Sequence, residues 1–128
     1  MFLEKGRSFS GAFELRNPSR GKVVAATVEL AVTSAARRRG LLGRQGLASG
    51  HAILIAPCWS IHTWFMQFAI DVIFVTRDGR VVKTLAAVPP WRMTAAWRAY
   101  ATVEMASGEI QRLGIAERDR LELVQSPG

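Results

Sequence analysis

Cys58 and His62 stand four residues apart in "PCWSIHTWFMQFAIDVIFV" (57–75), and Asp71 follows in the same stretch. A thiol, an imidazole and a carboxylate are the materials of a nucleophile with its base. On a helix this spacing would put Cys58 and His62 on one face. Pro57 and the β-branched and aromatic neighbours favour an extended or looping path instead. No signature of an oxyanion hole or of an oriented base accompanies them. A free cysteine is most often a small buried hydrophobe. The sequence therefore names no catalytic residue and leans away from an enzyme; the alternative is His62 and Asp71 as general acid and base, with Cys58 as an optional addition. Cys58, His62, His51 and Asp71 are chemically legal metal ligands, but none has a recurrent paired spacing, so neither metal nor cofactor is expected.

Asp71 opens the run "DVIFV", in which every following residue is apolar. A carboxylate at the mouth of a buried strand costs several kcal/mol unless it is paired or hydrogen-bonded, roughly on the scale of other buried charges. Its candidate partners are backbone N–H groups of the preceding loop, His62, or Arg44 after the glycine-rich break, and the structural role is favoured. Glu104, inside "ATVEMA", raises the same question and is expected to point at the same place.

Trp59, Trp64, Phe65, Met66 and Phe68 supply large apolar area beside these polar groups, with Trp91 and Trp97 further on. Aromatics with a few convergent polar groups line small-molecule and peptide pockets, and they also fill cores. Alternation through 62–68 would put His62, Trp64, Met66 and Phe68 on one face. The expected ligand site is accordingly His62, Trp64, Met66, Asp71, Glu104 and Arg44, binding a small molecule or a protein segment.

The elements that must position these residues read mainly as strands. "GAFELRN" (11–17) is short and stops at Asn-Pro-Ser, and "GKVVAATVELAV" (21–32) is β-branched and strand-like. Thr33 or Ser34 caps a short helix in which Ala35, Leu41 and Leu42 face the core while Arg37 to Arg39 stay wet. "HAILIAP" (51–57) is an apolar strand stopped by Pro57. Two β-branched runs flank Arg77-Asp78-Gly79-Arg80, a hairpin signal. "RAYATVEMA" (98–106) alternates, with Thr102 and Glu104 on one face and Ala101, Val103 and Met105 on the other. "SGEIQRLG" (107–114) reads as a short helix ending at Gly114, and "DRLELV" (119–124) as a last strand with Leu121 and Leu123 on one face. These add up to a mainly β chain, a compact antiparallel β-barrel or sandwich of roughly six or seven strands with two short helices.

The 128 residues fit one domain over 1–128, with 49% hydrophobic and 21% charged residues, as in ordinary globular proteins. The single cysteine excludes an internal disulfide and fits a reducing, cytoplasmic setting. No segment reads as a signal peptide or a membrane span. The net charge is +7, and residues 1–50 carry nine Lys or Arg against three Glu. Such a surface attracts polyanions. That makes a basic adaptor binding nucleic acid or anionic lipid through Arg37, Arg38 and Arg39 a third alternative. No nucleic-acid recognition motif accompanies the charge, so nucleic acid is disfavoured. The oligomeric state is not encoded in any pattern.

"RRGLLGR" (38–44), "IHTWFMQFAIDVIFVTRDGRVV" (61–82) and "VEMASGEIQRLGIAERDRLEL" (103–123) together resemble the family called domain of unknown function 192. The matching blocks keep family order over 38–123, while residues 1–20 lie outside. The resemblance implies a compact, mainly β single domain and no activity, since the family has no established biochemical function. Two positions depart from its pattern: Ala69 stands where a proline is common, and Arg118-Asp119 where Gly-Asp is common.

Overall fold

The computed structural model describes residues 12–41 and 43–126. The β-branched runs become strands in the order β1 (Phe13–Asn17), β2 (Lys22–Ala31), β3 (His51–Ile55), β4 (Ser60–His62), β5 (Ile70–Val75), β6 (Val81–Val88), β7 (Met93–Ala95), β8 (Ala101–Ala106) and β9 (Glu122–Gln125). Two short helices interrupt them, α1 (Ser34–Arg39) and α2 (Glu109–Leu113). Seven strands form one sheet in the order β6-β5-β8-β3-β2-β1-β9, and β4 pairs with β7 in a separate ribbon.

The mainly β reading with two short helices holds, and the Asp-Gly turn does make the β5–β6 hairpin. The finer architecture differs. There are nine strands among the described residues, and the large sheet is mixed because β2 and β3 run parallel. Its end strands meet only at the Arg80–Arg120 bridge and neighbouring backbone bonds, so no complete barrel ladder closes. The β4–β7 ribbon was not legible: three-residue strands carry too little alternation to register.

Central strands are apolar on both faces because both faces are covered. Every residue of β5 is buried. On one side, Ile73, Val75, Val103, Met105 and Leu54 pack with α2, Leu121 and Leu123. On the other, Val72, Phe74, Ile53 and Ile55 pack with Leu41, Ile61 and Met66. Adjacent parallel strands need a crossover over one face of the sheet. Here the β2-to-β3 crossover carries α1 over the second side.

Thr33 caps α1, its Oγ1 accepting the Ala36 N–H at 3.1 Å. Gly40 then ends the helix at φ +46°, a region that side-chain-bearing residues rarely enter. Leu41 is buried as expected, whereas Ala35 is exposed and Ala36 is the residue that packs on the core. Leu42 and residues 1–11 lie outside the described residues.

Candidate functional site

On the second side of the sheet, α1 and the segment 57–62 enclose a cavity of about 620 Å³. One wall is Ser34, Arg37, Arg38, Arg39, Gly40 and Leu41; the other runs from Pro57 to His62, with Met66. Ile55 and Glu104 contribute from the sheet beneath. Pocket walls of this kind, with a few polar groups on an apolar frame, suit a small ligand.

Glu104 reaches the cavity because of strand alternation. It pairs with Val72 and Ile53, both of which face α1. The residue is only 4% exposed. No described side chain or backbone group hydrogen-bonds its carboxyl; a methyl group on Gly40 would lie 3.8 Å from Glu104 Oε1, an ordinary van der Waals distance. Burial pushes its pKa up to about 7, against a smaller opposing pull from the Arg44 charge. A buried carboxyl without a partner is costly, and in native proteins such groups cluster at functional positions.

Cys58 borders the same cavity, but nothing there activates it. Burial raises its pKa, outweighing the opposing hydrogen-bond contributions of Thr102 and Ser60. Its Sγ contacts the Ser60 carbonyl at 3.2 Å. The backbone around it is pinned by two bonds, Cys58 N–H to the Tyr100 carbonyl at 2.8 Å and Thr102 Oγ1 to the Cys58 carbonyl at 3.1 Å.

The structure brings together only part of the site expected from sequence. His62, Met66 and Glu104 share the cavity. Trp64 does not line it but lies beside His62 with ring centroids 4.9 Å apart. The alternation expected through 62–68 ends at His62, since the chain turns back with the Met66 N–H on the Thr63 carbonyl and Phe65 at φ 65°. Arg44 pairs with Glu29 at the surface, 2.6 Å away, and acts on Glu104 only through its charge.

Asp71 does not join them. It pairs with Met105, which faces the opposite side of the sheet, and is fully buried. Its carboxylate accepts the N–H groups of Ala87 at 2.8 Å, Gly108 at 3.1 Å and Ile110 at 2.8 Å. These lie on β6 and at the start of α2, not in the preceding loop, so Asp71 fastens α2 to the sheet. The His62–Asp71 acid–base pair is therefore not assembled. Nor are the weighed metal ligands: no three His, Cys, Asp or Glu gather in a metal-sized group among the described residues.

Sequence reasoning treated Arg37 to Arg39 as a separate surface and missed that they wall the cavity. The usable signal was Gly40 directly after them, whose positive φ ends α1 and sends the chain on to the buried Leu41.

The family model for domain of unknown function 192, described as an uncharacterized ACR, matches residues 15–123. Among curated proteins none matches. The chain is similar in structure to a protein of unknown function from Novosphingobium aromaticivorans DSM 12444, with TM-score 0.73, 29% identity, and 87% of this chain covering 83% of that one. It is also similar to a protein from Sinorhizobium meliloti 1021 labelled a "putative transcription regulator". That likeness has TM-score 0.75 and 24% identity over 90% of this chain and 97% of the other, and it carries the fold alone. No described helix is long and apolar enough to cross a membrane.

Proposed function

We propose that this chain, which belongs to the family domain of unknown function 192, is a non-enzymatic binding module for a small organic anion held in the cavity between α1 and residues 57–62. The observation that carries this reading is Glu104, buried, without a hydrogen-bond partner, and lining a cavity walled by Arg37, Arg38 and Arg39. The guanidinium groups supply the charge and planar donors that suit carboxylate or phosphate. Glu104, able to hold its proton near neutrality, donates to or accepts from a polar group on the same ligand. Ile61, Met66 and Trp59 give the apolar contact that fixes orientation. Binding rather than catalysis is favoured because no activated nucleophile stands beside Glu104. The regulator label of the Sinorhizobium protein is not carried over at 24% identity.

The test is a thermal-shift screen of small carboxylates and phosphate esters. A true ligand at about 100 times its Kd adds ~2.7 kcal/mol to stability. Glu104→Gln and the triple change of Arg37, Arg38 and Arg39 to Ala should each reduce that shift. A panel without hits, or hits whose shift both variants preserve, would remove the cavity as the binding site.

A further inference from the structure

All four tryptophans of the chain are exposed, between 42% and 77%. That is unusual, because tryptophan is highly buried on average. They lie on two segments paired as one arm. The Ala96 N–H donates to the Trp59 carbonyl at 2.8 Å, β4 pairs with β7, and the Thr63 and Trp91 N–H groups donate to the Arg92 and Thr63 carbonyls. Ile61 and Thr63 on this arm are buried, while Phe65 and Met93 are 70% and 67% exposed.

The arm also holds two bulky residues in the left-handed region, at turns closed by the Met66 and Trp91 N–H groups on the Thr63 carbonyl. Phe65 and Trp91 both hold positive φ, at 65° and 66°, where a bulky side chain is a genuine outlier. The result is an edge-on contact between their rings at 4.8 Å on the protein exterior. Exposed apolar patches of this kind mark surfaces that meet something.

Charge indicates what that is. From Leu30 to Val103 the only acidic residues are Asp71 and Asp78. Asp71 is fully buried and Asp78 is paired with Arg120 in the β5–β6 turn. Arg92 and Arg98 stand exposed among the aromatics, the latter over the Trp97 ring at 5.2 Å.

We propose that the arm formed by residues 59–66 and 91–98 docks on the surface of an anionic lipid bilayer, with Phe65, Trp91, Met93 and Trp97 entering the interface and Arg92 and Arg98 meeting the headgroups. Tryptophan rings settle at headgroup depth, and cations flanking an apolar face bind acidic leaflets. The arm shares Trp59 to His62 and Met66 with the cavity wall, but the residues that enter the interface, Phe65, Trp91, Met93 and Trp97, do not line the cavity.

Intrinsic fluorescence reports directly on this arm, since it holds every tryptophan. Vesicles of phosphatidylcholine mixed with phosphatidylglycerol should co-sediment the protein, shift its emission to the blue, and lose both effects as salt is raised; pure phosphatidylcholine should bind far more weakly. Arg92→Ala with Arg98→Ala should weaken binding to the mixed vesicles roughly thirtyfold, following the contribution of each of the two cations near a charged leaflet. Phe65→Ser with Trp97→Ser should abolish it while the melting temperature stays near that of wild type. If that variant fails to fold, brominated lipid gives the decision on wild type, quenching the tryptophans if they enter the interface. Failure to sediment with mixed vesicles at low salt overturns the proposal. So does a dimer in solution whose emission is already blue and unmoved by vesicles, or a response to single-stranded oligonucleotide alone.

Discussion

Asp71 and Glu104 sit on neighbouring strands within one register step of each other, yet they face opposite sides of the sheet. Asp71 is opposite Met105, and Glu104 is opposite Val72. Both residues are buried, but the Asp71 carboxylate accepts three backbone N–H groups, whereas the Glu104 carboxyl faces the cavity and accepts none from the described residues. Their contributions to stability should therefore have opposite signs. Asp71→Ala would strand the N–H groups of Ala87, Gly108 and Ile110 and should cost about 3–5 kcal/mol. Glu104→Gln removes a charge that burial penalises and should be neutral or stabilising at neutral pH. Urea denaturation of the two variants measures both; equal losses would mean that Glu104 has a structural partner.

The raised pKa of Glu104 sets a pH dependence of known direction. Below the ordinary value of 4.5 the carboxyl is protonated in folded and unfolded chains alike. Between 4.5 and about 7 only the folded chain keeps the proton. The unfolded state then binds fewer protons, so stability falls as pH rises through that window, by at most a few kcal/mol in total. Above 7 the loss levels off. The opposite limb comes from Glu109 and Asp119. Arg112 holds Glu109 below its ordinary value; at Asp119 burial opposes ionisation but Arg20 and Asn17 outweigh it. Their stabilisation is present above their unfolded values and lost as acid protonates them. Denaturation midpoints of wild type and Glu104→Gln should converge near pH 4.5 and separate progressively toward neutrality. Parallel curves would contradict the buried, unpartnered carboxyl.

The β8 alternation was legible because its six residues alternate strictly and the strand is paired on both sides along its length. So was the β5–β6 hairpin, where Asp-Gly dictates its own turn. What could not be read was which side each acid faces. That depends on the β5–β8 register, a non-local pairing with no trace in local composition. The exposure of Trp64 and Phe65 was hidden for a related reason. Apolar identity predicts burial only one way, and here the aromatics extend an outward arm instead of filling the core.

Arg118 offers a test of backbone strain where the family pattern commonly has glycine. It holds φ 76°, so the chain keeps the left-handed turn and pays for the side chain. The following Asp119 carboxylate bonds Asn17 and Arg20 and accepts the Ala116 N–H, which holds the turn against β1 and its following loop. Arg118→Gly should stabilise the fold by roughly 0.5–1 kcal/mol, the relief of strain being partly offset by the greater freedom of glycine in the unfolded chain. Thermal denaturation of this variant should show a higher midpoint. A lower one would mean that the arginine side chain makes a contact worth more than the strain.

Cys58, only an optional addition to the site read from the sequence, is not activated in the structure either. Its thiol lines the cavity, yet burial favours the neutral form over the thiolate, and the thiolate is the nucleophile. Alkylation by iodoacetamide in native buffer near pH 8 should be at least several-fold slower than in urea, following the smaller thiolate fraction and restricted access. Cys58→Ala removes only a small apolar group from the cavity rim and should cost about 1 kcal/mol or less. It should leave ligand-induced thermal shifts in place, in contrast to Glu104→Gln. Rapid stoichiometric alkylation in the native state, together with loss of ligand response in Cys58→Ala, would move the chemistry of the cavity from the carboxyl to the thiol and reopen a catalytic reading.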